Sequence, residues 1–182
     1  MFIDYVTLML INMTAGLVVL AFFVCCGVHK LETRAWSPAF AIVGLNAAIC
    51  GFVMTFTWPL PYPYNIAFGE MSVLFGLLYL AAALAIAKGW HLMPVGIYAF
   101  IAGAAAILVG VRIIDLGLTS KPVLSGIGFI LTGSVGVLTP LLLYLKNVKA
   151  VRLLGALLPL AAAVIWAMTG FFAYWMHLAP KK

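Results

Sequence analysis

Apolar residues in this chain fall into six long runs, at 5–28, 38–58, 66–87, 92–114, 123–145 and 153–177, interrupted by charge only at Glu70 and Arg112. Each is close to the roughly 20 residues that a helix rising about 1.5 Å per residue needs to cross a hydrocarbon core of about 30 Å. Short connectors carry most of the charge: HKLETRAWS at 29–37, PLPYPYN at 59–65, KGWH at 88–91, DLGLTSKP at 115–122 and KNVKAVR at 146–152. Runs of this kind exclude a transmembrane β-barrel, whose strands alternate in polarity over about 10 residues. The expected fold is all-α: one transmembrane domain over 1–182, a polytopic bundle of six helices.

The first run is longer than the apolar core of a secretory signal, and Met1–Tyr5 carries no Lys or Arg, so it is expected to span. Six spans place both termini on one side. Lys30, Arg34, Lys88, Lys146, Lys149 and Arg152 follow helices one, three and five, whereas Lys121, Lys181 and Lys182 lie opposite, with Arg112 at the end of helix four. The positive-inside rule then puts both termini outside a plasma membrane.

Composition sharpens this. The chain of 182 residues is 66% apolar and 8% charged, with a net charge of +6. So few charged groups cannot cover the surface of a water-soluble domain, and no basic stripe interleaved with stacking aromatics supports nucleic-acid binding. Tyr5, Trp36, Trp58, Tyr62, Tyr64, Trp90, Tyr144, Tyr174 and Trp175 sit near helix ends, where interfacial anchors are expected. The lipid bilayer is the first expected partner, with assembly as a homo-oligomer or within a larger membrane complex.

Glycines seven apart, in Gly44 and Gly51, Gly69 and Gly76, and Gly96, Gly103, Gly110 and Gly117, return to one helix face. Small residues there allow the close helix approach on which association in lipid depends. LLYLAAALAIA at 77–87 echoes LLPLAAAVIWA at 157–167, and Pro38 and Pro122 each open the second helix of a half. A 3+3 inverted repeat is one expectation from this echo.

Ionisable groups inside spanning helices are costly and therefore candidates for function. Glu70 lies about 6 Å inside helix three; Arg112 and Asp115, three apart, share a face of helix four. These three either form an ion network pinning the two helices, or Glu70 lines a vestibule on a solute or proton path. Asn12 and Asn46 fall near the midplane and either hydrogen-bond each other or contact a polar solute. Cys25, Cys26 and His29 are a weak candidate metal set, Cys25 and His29 being four apart, and the odd cysteine count gives no disulfide framework. No nucleotide, zinc-protease or nucleophile-elbow motif occurs, so neither an enzyme nor a cofactor is expected.

The run Leu74-Phe75-Gly76-Leu77-Leu78-Tyr79-Leu80 in helix three, continuing through Gly89-Trp90 and Tyr98–Ala102, resembles the bacterial amide and urea channel family. The resemblance covers about a third of the chain and implies an oligomeric ring with a solute pore in each protomer, with Phe75 and Tyr79 on the path. The tryptophan-rich fifth helix and acidic sixth helix of those channels are not matched. The leading functional expectation is a channel or facilitator for a small polar solute such as urea, a short amide or ammonia. The alternatives are a non-catalytic subunit of a respiratory or oxidase complex, and a proton-coupled transporter.

Overall fold

A computed structural model of the chain describes residues 5–30 and 33–179. Lys181 and Lys182, used above for orientation, lie outside the described residues, as does the side chain of Tyr5. The described chain forms α1 (Tyr5–Phe22), α2 (Ser37–Thr57), α3 (Met71–Lys88), α4 (Met93–Leu116), α5 (Pro122–Tyr144) and α6 (Lys149–His177). A π-helical turn at Phe23–Gly27 prolongs α1 and another at Asn65–Glu70 leads into α3, so six helical segments are long and apolar enough to cross a membrane. The protein is a multi-pass, all-α membrane bundle.

The helix boundaries have local causes. Pro38, Pro94 and Pro122 stand in the first turns of α2, α4 and α5, where a missing N–H costs nothing. Gly89 and Gly117 end α3 and α4 at φ of 69° and 61°, a left-handed cap that a side chain would strain. The sixth helix begins at Lys149 rather than at 153, because a helix does not stop where its charged first turn leaves the apolar layer.

The helices form a ring in chain order, closed by α1 against α6. Three interfaces are extensive, α2 with α3, α4 with α5 and α1 with α6, and the three between them are thinner. A 3+3 repeat would carry α2–α3 onto α5–α6 and α1–α2 onto α4–α5. Each time an extensive interface would fall on a thin one, so the two halves differ in how tightly their helices pack.

Glycine placement decides which pairs close. A Cβ on Gly76 would stand 2.5 Å from the Ala48 nitrogen, and one on Gly133 would stand 2.5 Å from the Gly103 carbonyl oxygen. These are backbone-to-backbone approaches, which in lipid replace the hydrophobic driving force of water-soluble bundles. Connectors after α1, α3 and α5 lie at one end, the basic end. The Pro-Tyr connector and the 117–121 connector lie at the other.

Candidate functional site

Six helices in a ring leave an axis, and side chains fill only part of it. Toward the basic end an axial cavity of about 430 Å³ is lined from all six helices, by Leu20, Phe40, Tyr79, Val95, Val135 and Leu158 among others. That volume falls within the range of about 300–1,000 Å³ typical of small-molecule sites. Among the described residues no charged one lines it. Among the described residues its only side-chain polar atoms are the hydroxyls of Tyr79 and Thr139, and Thr139 already donates to the Val135 carbonyl at 2.8 Å. The Tyr79 ring stacks on Phe40 with 5.4 Å between centroids, and its hydroxyl is buried against α1 at Gly16 with no hydrogen-bond partner among the described residues.

One turn farther from the basic end the axis is closed. Phe75, Phe129 and Trp166 are buried there with Leu10, Met71 and Ala163. Trp166 meets Phe129 edge-on at 5.2 Å, Phe68 lies 5.7 Å from Phe129, and the indole N–H of Trp166 donates to Thr132 at 2.9 Å. Within the closure, walled by Phe75, Phe129 and Trp166, is a void of about 30 Å³ beside Ser72 and Thr132. Both hydroxyls donate to backbone carbonyls, of Ala47 and Gly128, so little polarity remains to hold water.

The residues expected on a polar path do not converge on this axis. Asn12 donates to the Val43 carbonyl at 2.9 Å and Asn46 accepts from the Cys50 thiol at 3.5 Å, so the expected amide–amide bond is absent. In place of an ion network, Arg112 pairs among the described residues with Asp115 alone at 2.5 Å, with side chains 55% and 59% exposed. Glu70 is half-buried in the π-helical turn before α3 and makes no hydrogen bond or ion pair with a described residue. A three-residue spacing brings Arg112 and Asp115 together more cheaply than two helices can bring Glu70 to either. Phe75 and Tyr79 do stand on the axis, Phe75 in the closure and Tyr79 on the cavity wall.

Two residues singled out only as connector residues hold the ends of the ring. Asn65 is fully buried; its side chain accepts from the Leu60 nitrogen at 3.0 Å and donates to the Leu60 carbonyl, fixing the proline-rich connector onto α3. Arg152, 9% exposed in the first turn of α6, donates from Nε to the Cys25 carbonyl at 3.4 Å and from Nη1 to the Lys146 carbonyl at 2.8 Å. The signal for Asn65 was an amide just after a Pro-Tyr run. Arg152 carries no sequence signal separating it from other loop bases.

His29 lies beside this arginine. Partial desolvation, with the positive charges of Arg152 and Lys30, lowers its pKa from the usual value. Cys25 is half-buried and Cys26 exposed, and among the described residues no three of His, Cys, Asp and Glu come close enough to hold a metal ion.

No curated protein and no solved structure matches the chain. One family model matches residues 1–180, that described as Protein of unknown function (DUF981). On a match over almost its whole length, the chain belongs to the DUF981 family.

Proposed function

We propose that this chain is a membrane facilitator that loads an amphiphilic solute from the basic end into the axial cavity and releases it past the closure of Phe75, Phe129 and Trp166. The observation that carries this reading is the cavity of about 430 Å³, lined from every helix and almost wholly apolar. A urea-like solute would leave its donors and acceptors unmet against such a lining, at roughly 1–3 kcal/mol per group. A purely apolar molecule dissolves in lipid without help. The solute that both needs a protein and suits this wall has an apolar body and one polar group.

Orientation belongs to the same proposal. The excess of Lys and Arg at the basic end supports a cytoplasmic placement of that end, with both termini outside the plasma membrane.

The test is transbilayer movement in proteoliposomes of a fluorescent short-chain amphiphile, alongside urea, acetamide and ammonia. The expected result is faster movement of the amphiphile than in protein-free vesicles, with urea and acetamide at background. Accelerated urea or amide flux without acceleration of the amphiphile overturns it.

A further inference from the structure

The polar group of the solute has its own place. Arg152 sits at the rim of the cavity: Val151, Leu154 and Gly155 around it on α6 line the wall, and so do Val24 and Val28 on either side of the Cys25 carbonyl that its Nε contacts. A guanidinium has five N–H donors. Nε and Nη1 each make one bond to a carbonyl, and Arg152 meets no carboxylate among the described residues. A buried cation is ordinarily paired, because burying it unpaired is expensive.

The surroundings add positive potential. The first turn of α6 contains no acidic residue, its start has no side-chain cap, and Lys149 is in the same turn as Arg152. Cations there oppose the helix macrodipole, whose positive end attracts anions instead. His29 and Lys30 follow Val28 on the same side, and desolvation first, then the positive charges of Arg152 and Lys30, lower the His29 pKa.

We infer that the cavity takes a single-chain amphiphile with an oxyanion head, carboxylate or phosphate, the chain lying between α1, α3, α5 and α6 and the head bound by Arg152. This rests on the proposed function and names its solute class. A chain of this kind needs a protein to cross a membrane because its charge resists entering hydrocarbon.

Binding of dodecanoate, dodecyl phosphate and dodecanol to the full chain in zwitterionic nanodiscs tests it, since the three share one chain and differ in the head. At least one anion is expected to bind about tenfold or more tightly than the alcohol, as charge-assisted hydrogen bonds allow. The two anionic arms separate a fatty acid from a phosphate-headed lipid. Arg152→Gln is expected to remove the preference while leaving dodecanol binding intact. A photoreactive group beside the head of the preferred anion, read in the wild-type chain, is expected to label positions 24–28 and 151–155, whatever the stability of the variant. Equal binding of all three, a preference that survives Arg152→Gln, or labels at the Pro-Tyr end overturn the anionic head. Loss of all three ligands, dodecanol included, overturns the facilitator reading itself.

Discussion

The indole N–H of Trp166 donates to the hydroxyl of Thr132 at 2.9 Å, and that hydroxyl donates in turn to the Gly128 carbonyl at 2.8 Å. The pair ties α6 to α5 at the closure. Gly128 makes room for it, since a Cβ there would stand 2.9 Å from the indole ring. Thr132→Val keeps the shape but leaves a buried N–H unpaired, so a loss of roughly 1–3 kcal/mol is expected, while Thr132→Ser keeps most of the stability. Denaturation of both variants in one detergent measures this. Equal stability of the Val and Ser variants would show that the bond holds nothing.

The approach of α4 to α5 gives a second expectation. Gly103 faces the Gly133 carbonyl and lies so near α5 that a methyl group must push the backbones apart. Gly103→Ala is expected to lower stability by about 1–3 kcal/mol, the usual cost of overpacking a close interface. Ala104→Leu, on the exposed face of the same helix, is expected to change it by less than about 0.5 kcal/mol. Thermal unfolding compares them, and equal tolerance at the two positions would contradict the close approach.

The tight α4–α5 pair was legible in the sequence, because glycines seven apart mark one face whatever the partner. So was the number of helices, since a run of apolar residues need only match the membrane thickness. The axial site was legible only at Phe75 and Tyr79. An apolar cavity is made of the same Leu, Val and Ala as an apolar core, and only the three-dimensional fit of Leu20, Val95 and Leu158 separates them. Arg112 and Asp115 satisfy each other locally, whereas Arg152 acts through the carbonyls of Cys25 and Lys146, which no spacing announces.

Tyr79 makes a sharper demand. Its hydroxyl is buried without a partner among the described residues, so the folded chain bears a desolvation cost with no return. Tyr79→Phe is expected to keep the ring stacked on Phe40 and to leave stability unchanged or raise it by up to about 1–3 kcal/mol. A measured loss of stability would reveal a partner for the hydroxyl.

His29 links the rim to pH. Partial desolvation, and after it the charges of Arg152 and Lys30, hold its folded pKa below the usual value of about 6.5. Between the folded value and about 6.5 the unfolded chain takes up a proton that the folded chain resists, so stability declines as pH falls through this window and then levels. NMR titration of His29 is expected to give a pKa below that of free histidine, rising in Arg152→Gln. A pKa at or above the free value would contradict this environment, and one that Arg152→Gln leaves unmoved would remove the positive rim.

The most direct measurement of the central claim is amphiphile translocation by wild type and by Ala82→Phe, whose added ring would occupy the cavity that Ala82 lines. The account predicts a folded variant, with thermal stability at or above wild type, whose translocation falls to the level of protein-free vesicles. A folded Ala82→Phe chain that moves the amphiphile as fast as wild type would contradict the cavity as the solute site.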